Sequence, residues 1–274
     1  ISIMKVSVIS GGAGGIGIEA ARLLAKETAI LIADVQPSRI EIAKQELKGF
    51  DNIEYMVSDV SKLEDVQAMG AKVMEMGRLK NVIHAAAKSE VFADERVLGS
   101  DCMRNNVLGA INMAQVFIPM LSKGCNYINI ASMTSWYQNI NDYIDQFKAA
   151  LNGDLEPLIS NCGDVNTTVA YNLSKGFVRW YTMANIDRVG EKGARINSIS
   201  PGIIWTPMPQ GVEKMMPGVV SGFASTCPME GRMGDPKEVA ELIEFLCRPG
   251  YVNGTDIIID GGIMHRIQVE QLED

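Results

Sequence analysis

Tyr171 and Lys175 are spaced like a pair of side chains that could move a proton. They lie four residues apart at the start of a segment with helical periodicity, so both are expected on one helix face. A phenol has a pKa of about 10 and is a poor base near pH 7. A shift of about 3 units takes roughly 4 kcal/mol of preference for the phenolate. One positive charge about 4 Å away supplies roughly that at an effective dielectric near 20. Tyr171 is therefore predicted to be an acid/base group that Lys175 activates.

The Tyr-x-x-x-Lys spacing is weak evidence by itself, because the chain has seven tyrosines. Two further polar residues strengthen it. Ser132 ends a predicted strand and could donate to a substrate oxygen, and Asn106 lies in the predicted helix before that strand. This set suits a secondary alcohol that loses its hydroxyl proton while a hydride leaves its carbon.

A glycine-rich segment, Ser10–Gly17, follows the first predicted strand and opens the first predicted helix. Glycines let the backbone turn tightly and approach a pyrophosphate, and the helix N-terminus offers free N–H groups. The glycines fit two frames: Gly12, Gly14 and Gly17 as G-x-G-x-x-G, or Gly11, Gly15 and Gly17 as G-x-x-x-G-x-G. Either frame predicts a dinucleotide-binding turn, which would also involve Ile16.

Asp34 ends the second predicted strand, seventeen residues after Gly17. A carboxylate at this point can bind the ribose 2′-OH of NAD and would repel the 2′-phosphate of NADP. Val35 comes next, and Arg39 falls inside the following predicted helix, so no basic residue obviously compensates. The sequence therefore predicts NAD as the cofactor.

Two later strand ends are placed to border the same cofactor. Asp59 and Val60 follow the third predicted strand and could reach the adenine. Ala85 and Ala86 follow the fourth, where small residues allow close approach. His84, beside them, is as consistent with a packed core histidine as with a ligand.

Alternating strands and helices position these residues. Buried strands are predicted at Met4–Ser10, Ala29–Asp34, Ile53–Val57, Asn81–Ala85, Tyr127–Ala131, Arg195–Ser200 and Asp256–Ile259. Helices are predicted at Ile16–Lys26, Lys62–Met76, Gly99–Ser122 and Ala170–Val189, among others. The pattern predicts an α/β fold: a Rossmann-type, doubly wound, parallel seven-stranded sheet with helices on both faces. Ligands of such sheets bind at the carboxyl ends of the strands, where every motif above falls.

One NAD(P)-binding domain is expected over residues 1–274, with two long segments that interrupt the alternation. The first is an insertion at about 136–168, and the second is a substrate loop at about 203–233. An apolar stripe with helical spacing runs through the insertion at Ile140, Tyr143, Ile144, Phe147 and Leu151. This stripe predicts a short helix that covers the active site or contacts a partner subunit.

The composition argues against several classes of partner. The formal net charge is −8, and no basic cluster occurs, so nucleic acid and anionic membrane surfaces are not expected partners. No apolar stretch has membrane-spanning length. Five cysteines without CxxC spacing and only two histidines predict neither a disulfide framework nor a metal site. With only three residues before the first predicted strand, a signal peptide is not expected, and a reducing compartment, the cytoplasm, is predicted.

The chain resembles the short-chain dehydrogenase/reductase family, in its compact single-domain form, over nearly its whole length. The matching positions are Gly11, Gly15, Gly17, Asp34, Asp59, Asn106, Ser132, Tyr171, Lys175, Ser200–Gly202, Thr206 and Asp260–Gly262. The resemblance implies that Tyr171 is the acid/base and that Ser132 orients the substrate. It also implies that Lys175 binds the nicotinamide ribose and that Asn106 supports a water in a proton relay.

The same resemblance implies further cofactor contacts and an assembly. The contacts are the turn at Pro201 and Gly202, with Ile204 and Thr206 at the carboxamide. A homodimer or homotetramer is expected, since helices beside the one that carries Tyr171 are common dimer contacts in the family.

The sequence departs from the family pattern at two places. His84–Ala87 stands where the family has Asn-Asn-Ala-Gly, so that asparagine role is not transferred. The gap of 39 residues from Ser132 to Tyr171 is longer than usual. A similar insertion occurs in some bacterial hydroxysteroid dehydrogenases.

Apolar residues near the expected reaction centre indicate the substrate. They are Met133, Trp136, Tyr137, Trp205, Met208, Met215 and Met216. They favour a bulky hydrophobic alcohol or ketone, such as a steroid or bile acid, although they could instead pack a lid or a dimer contact. The alternatives are a 3-oxoacyl or sugar-type reductase, and a non-catalytic NAD-sensing regulator, which would tend to lose the Tyr/Lys pair.

Overall fold

A parallel β-sheet forms the centre of the computed structural model, which describes residues 4–89, 91–92, 95–164 and 167–273. Its seven strands, counted within those ranges, are β1 (Lys5–Ser10), β2 (Ala29–Asp34), β3 (Ile53–Val57), β4 (Arg78–His84), β7 (Asn126–Ile130), β8 (Arg195–Pro201) and β9 (Asp256–Ile259). β5 (Val91–Phe92) and β6 (Glu95–Arg96) pair as a short antiparallel hairpin outside it. The predicted doubly wound parallel sheet is confirmed.

Helices pack on both faces of this sheet. The longer ones are α1 (Gly15–Leu24), α2 (Pro37–Glu46), α3 (Leu63–Met76), α4 (Gly99–Met120), α7 (Thr167–Ala184), α11 (Pro236–Cys247) and α12 (Ile263–Glu273). The shorter ones are α5 (Ile144–Leu151), α6 (Glu156–Ile159), α8 (Ile186–Gly190), α9 (Pro207–Met215) and α10 (Val219–Ala224), with 3₁₀ turns at Met133–Trp136 and Ile140–Tyr143. Among the residues described, no helix combines the length and the apolar character needed to cross a membrane.

The strand order places the predicted cofactor turn at the middle of the sheet. The order is β3-β2-β1-β4-β7-β8-β9. From β1 the chain adds β2 and β3 toward one edge of the sheet. It then returns to the other side of β1 and adds β4, β7, β8 and β9 toward the opposite edge. This reversal leaves a crevice between β1 and β4 at their carboxyl ends, which is where ligands of open α/β sheets bind. The glycine-rich turn follows β1 directly.

Two cores flank the sheet because its buried strands are apolar on both faces. β2 is buried along all six of its residues, Ala29–Asp34. One core contains α3, α4 and α7, and the other contains α1, α2 and α11. Together they hold the strand ends in place around the crevice.

The predicted insertion packs into the first core. Phe147 is fully buried, with its ring 5.5 Å from that of Phe177 and 5.4 Å from that of Trp180, centroid to centroid. Leu155 and Leu158 are buried in the same core. The apolar stripe therefore has a partner inside this chain, on α7.

Candidate active site

A cavity of about 790 Å³ opens at the carboxyl ends of the strands. All residues predicted to contact the cofactor line it: Gly11, Gly15, Ile16, Gly17, Asp34, Asp59, Val60, Ala85, Ala86, Tyr171, Lys175, Pro201, Gly202, Ile204 and Thr206. Ser132 lines it as well. These residues come from the ends of six strands and from α7, so the fold gathers positions that are far apart in the sequence.

The glycine turn packs too closely against its neighbours to admit larger residues. Gly11 has φ of +66°, and a Cβ placed on it would lie 2.6 Å from the backbone N of Ala86. A Cβ on Gly15 would lie 2.8 Å from Cγ2 of Thr206. α1 then begins without a side-chain cap, so its first N–H groups remain available for an anion.

The structure favours one of the two glycine frames. All three glycines of the frame Gly11, Gly15 and Gly17 line the cavity, whereas Gly14 and Gly17 of the other frame do so and Gly12 does not. Gly12 instead packs against Gly17, where a Cβ would approach the Gly12 Cα to 2.5 Å. Gly12 thus allows close contact between β1 and α1 and does not face a ligand.

Asp34 projects its carboxylate into the cavity from the end of β2. Its Oδ1 accepts a hydrogen bond from the backbone N of Gln36 at 3.1 Å. Burial raises the pKa of Asp34, while backbone N–H groups, including that of Gln36, and the nearby Arg39 oppose this shift. Arg39 lies in α2, as the sequence predicts, and also lines the cavity.

The neighbouring strand ends are held by local hydrogen bonds. Asp59 accepts from the backbone N of Ser61 at 3.0 Å and from its hydroxyl at 2.6 Å through the same oxygen, Oδ1. The carbonyl of Val60 accepts from Asn112 at 2.9 Å. Both residues are therefore fixed in the cavity wall.

His84 is a packed core residue. It is buried, and its Nδ1 lies 2.8 Å from the hydroxyl of Ser10. Burial lowers the pKa of His84 to about 3, with a further contribution from the charge of Lys175. A neutral histidine outside the cavity lining supports the core interpretation of the sequence, not the ligand interpretation.

Tyr171 and Lys175 lie on one face of α7, as their spacing predicts. The Lys175 Nζ is 5.8 Å from the centroid of the Tyr171 ring and donates a hydrogen bond to the carbonyl of Ile130 at 2.7 Å. Burial lowers the pKa of Lys175 to about 8. The ammonium group is therefore held between Tyr171 and the end of β7.

Ser132 follows β7 and caps a 3₁₀ turn. Its Oγ accepts from the backbone N of Thr134 at 3.2 Å and is 3.0 Å from the Thr134 hydroxyl, which donates to it. These bonds leave the Ser132 hydroxyl hydrogen available for a group in the cavity.

Asn106 does not line the cavity, and its support of a water in a proton relay stays a prediction. Its Oδ1 accepts from the backbone N of Lys88 at 2.8 Å, and its Nδ2 donates to the Lys88 carbonyl at 2.9 Å. Nδ2 also lies 2.9 Å from the Ser174 hydroxyl. The amide is thus engaged in holding the segment after β4 against α7, which is a positioning contact.

Part of the cavity lining is apolar, and most of this part follows β8. The residues there are Met133, Tyr137, Ile203, Met208, Pro209, Val212, Val219, Val220 and Phe223. Four of the predicted substrate residues, Trp136, Trp205, Met215 and Met216, do not line the cavity. Sequence reasoning missed Val219, Val220 and Phe223, although their helical spacing in an otherwise irregular segment indicates the face that α10 turns inward.

The insertion contributes only its two ends to the cavity among the residues described. Tyr137 and Thr168 line it, and nothing from 138 to 164 does. The prediction that the apolar stripe covers the active site is therefore wrong for these residues. The stripe packs on α7 instead, where Phe147 meets Phe177 and Trp180 and its apolar surface is removed from water.

Comparisons with known proteins agree with this geometry. A family model described as short chain dehydrogenase matches residues 5–144, and one described as enoyl-(acyl carrier protein) reductase matches residues 158–264. A 3-alpha-hydroxysteroid dehydrogenase/carbonyl reductase from Comamonas testosteroni is 28% identical over 268 residues, covering 95% of this chain and 96% of that protein. A 3-oxoacyl-(acyl-carrier-protein) reductase from Thermotoga maritima is 27% identical over 270 residues, covering 95% and 98%.

Solved structures show the same fold. The crystal structure of levodione reductase gives a TM-score of 0.72 at 24% identity, covering 95% of this chain and 98% of that one. A protein from Brucella melitensis, described as a short-chain dehydrogenase/reductase and glucose/ribitol dehydrogenase, gives 0.73 at 23% identity, covering 94% and 96%.

Proposed function

Because the chain belongs to the short-chain dehydrogenase/reductase family, we propose that it oxidises a bulky hydrophobic secondary alcohol, or reduces the matching ketone, with NAD. It is an oxidoreductase that acts on CH–OH groups through a nicotinamide cofactor. The proposal adds the choice of NAD, the class of substrate and the residues that act. One observation carries it: the lining of a single cavity joins the glycine turn, Tyr171 and an apolar part.

The cavity fits a dinucleotide at its glycine end. Gly11 and Gly15 let the turn pack directly against Ala86 and Thr206 beside the α1 N-terminus, where N–H groups would hold the pyrophosphate. Asp34 would bind the ribose 2′-OH, which favours NAD. When bound, the nicotinamide supplies the hydride acceptor or donor.

The chain's own residues would carry the proton. Ser132 would donate a hydrogen bond to the substrate oxygen, and Tyr171 would take the hydroxyl proton during oxidation or return it during reduction. Lys175, held at the Ile130 carbonyl, would stabilise the phenolate and bind the nicotinamide ribose. Asn106 would act by fixing the segment that contains Ala85 and Ala86.

The apolar part of the cavity lining supports a hydrophobic substrate. Its aliphatic and methionine side chains remove apolar surface from water but offer few groups for the hydroxyls of a sugar. A steroid or bile acid skeleton suits such a wall. A 3-oxoacyl chain is the second candidate, since a relative with that activity has nearly the same identity as the hydroxysteroid relative.

A substrate panel tests the proposal. Hydroxysteroids, bile acids, 3-oxoacyl thioesters and sugars would each be assayed with NAD(H) and NADP(H), following absorbance at about 340 nm. We expect the highest kcat/KM for a steroid or bile acid with NAD(H). Faster turnover of 3-oxoacyl thioesters than of steroids and bile acids would assign the substrate to the 3-oxoacyl class instead. If no compound is turned over with either cofactor, the result would support the non-catalytic NAD-sensing alternative. Binding of NAD without turnover would then establish that alternative.

We also propose that the protein assembles as a homodimer or homotetramer. Phe245 on α11 is 53% exposed, and Tyr251, which precedes β9, is fully exposed. Exposed aromatic side chains beside a sheet edge are a common feature of subunit contacts. Light scattering on the purified protein would give the mass, and a monomer at micromolar concentration would contradict the proposal.

A further inference from the structure

The turn that carries Ser132 is attached to α7 at both of its ends. Before Ser132, the Ile130 carbonyl accepts a hydrogen bond from Lys175 Nζ at 2.7 Å. After Ser132, the Trp136 ring lies under the guanidinium of Arg179, with Cζ 3.9 Å from the ring centroid. Guanidinium groups stack favourably on indole faces, and the interaction strengthens where water is excluded.

Arg179 continues the helix row that carries the proposed catalytic pair. Tyr171, Lys175 and Arg179 are spaced at i, i+4 and i+8, so all three fall on one side of α7. Tyr171 and Lys175 reach the cavity, whereas Arg179 does not line it. Only 6% of the surface of Arg179 is exposed, so solvent does not hydrate most of this side chain.

Trp136 is fixed in a second direction by the edge of the sheet. Its Nε1 donates to Oδ2 of Asp256 on β9 at 2.8 Å. The same carboxylate accepts from the hydroxyl of Ser198 at 2.5 Å and from that of Ser200 at 2.7 Å, both on β8. The indole is therefore held by a carboxylate at its N–H and by a cation on its face.

Arg179 itself makes few polar contacts. Its Nε and Nη1 are buried and have no hydrogen-bond partner among the residues described. Burial lowers the pKa of Arg179, and only the charge of Asp256 opposes this shift. A buried arginine without hydrogen bonds at two nitrogens is costly, and its chief described contact is the ring of Trp136.

We propose that Arg179 and Trp136 form a positioning pair that fixes Ser132 relative to Tyr171 for the hydride-transfer reaction. The inference rests on the proposed function, because it assigns the pair to the geometry of that reaction. Lys175 and Arg179 hold the 130–136 segment at its two ends, and α7 carries Tyr171 on the same side. The distance between the Ser132 hydroxyl and the Tyr171 phenol is then set by one rigid helix.

Arg179→Met tests the proposal, because it keeps an apolar stem over the ring and removes the cation. We expect kcat to fall about tenfold to a hundredfold, since small displacements of reacting groups have effects of this size. The dissociation constant of NADH should not change. Arg179→Lys should recover part of kcat. Trp136→Phe, which keeps a ring but loses the N–H donor to Asp256, should lower kcat in the same direction.

Thr182→Val is the matched control. Thr182 is buried on the same helix and bonds to the Val178 carbonyl and to Asn129, which lies within β7 just before the 130–136 segment, so the control removes a contact to the strand and leaves both anchors of the turn in place. Hydrogen exchange of residues 130–137 is measured alongside and needs no activity. We expect faster exchange there in Arg179→Met but not in Thr182→Val.

The outcomes separate the two proposals. Unchanged exchange at 130–137 in Arg179→Met, or an equal loss of kcat in Thr182→Val, would overturn the positioning role. An unmodified protein that turns over no alcohol or ketone would overturn the proposed function, and the exchange data would still decide whether Arg179 fixes the turn. If Arg179→Met does not fold, the exchange and kcat of Trp136→Phe decide the question in the same way.

Discussion

Residues with no side chain or a single methyl group form much of the cavity wall on the side proposed to bind the cofactor (the cofactor side), whereas larger apolar side chains form it on the side proposed to bind the substrate (the substrate side). On the first side, a Cβ on Gly11 would strike the backbone of Ala86. On the second side, Met208, Val220 and Phe223 come from two short helices, α9 and α10. The cofactor side is therefore set by backbone geometry that admits almost no variation, and the substrate side by side chains that can be exchanged.

Tyr171→Phe should give the largest effect, because it acts where the two sides meet. The ring stays and only the proton carrier is lost, so kcat should fall by about 10²–10⁴-fold while cofactor affinity is preserved. Steady-state kinetics and NADH fluorescence titration measure the two quantities. A kcat close to that of the unmodified protein would refute the assignment of the acid/base.

Phe147→Ala tests whether the insertion affects neither the cofactor side nor the substrate side of the cavity. Removing a fully buried ring should lower the free energy of unfolding by about 3–5 kcal/mol. KM for the substrate and the cofactor affinity should not change. Urea denaturation measures the stability, and Leu151→Ala on the same helix, where Leu151 is 40% exposed, is the control with a smaller loss. A raised KM with little loss of stability would restore the lid prediction.

Asp34→Ala should act on the cofactor side alone. A hydrogen bond to a charged group contributes about 1.5–3 kcal/mol, so kcat/KM for NAD should fall by roughly 10- to 100-fold. The preference for NAD over NADP should narrow, because Arg39 remains in the cavity wall. KM for the alcohol should stay constant, and Asp34→Asn separates the loss of charge from the loss of shape. Equal kcat/KM for NAD and NADP in the unmodified protein would contradict the prediction.

Met208→Ala should give the smallest effect and should act on the substrate side alone. Removing part of an apolar wall should weaken substrate binding by about 1 kcal/mol, which is roughly fivefold in KM. Met215→Ala is the control, since Met215 does not line the cavity. If both variants raise KM equally, α9 affects binding through its overall position and not through this contact.

The positions of the glycine turn and of Asp34 at strand ends are the part of the cavity wall that the sequence located most directly. Asp34 and the glycine turn follow short apolar runs, and such runs locate the ends of buried strands within a residue or two, as at Ala29–Asp34. The strand ends then meet at one edge of the sheet by topology alone. The prediction therefore needed no knowledge of side-chain packing.

The remaining differences between the predicted and the observed structure depend on contacts between distant segments. A helical stripe identifies which face of the insertion is apolar, but not that Phe147 meets Phe177 and Trp180. The predicted helix Ala170–Val189 divides into α7 and α8 at Asn185, whose side chain bonds to the Tyr181 carbonyl at 2.8 Å. Asn106 is engaged by Lys88, a partner that its own neighbourhood in the sequence does not reveal.

The contact between Gly15 and Thr206 has a consequence for recombination of this fold. Thr206 is the N-cap of α9 and lies so close to the start of α1 that a methyl group on Gly15 would approach its Cγ2 to 2.8 Å. A crossover point placed after Thr206 would transfer the 207–233 segment as one exchangeable cassette and leave the glycine turn intact. A crossover placed before Thr206 would separate two residues that fit together only because Gly15 has no side chain, and such chimeras should lose the dinucleotide before they acquire a new substrate.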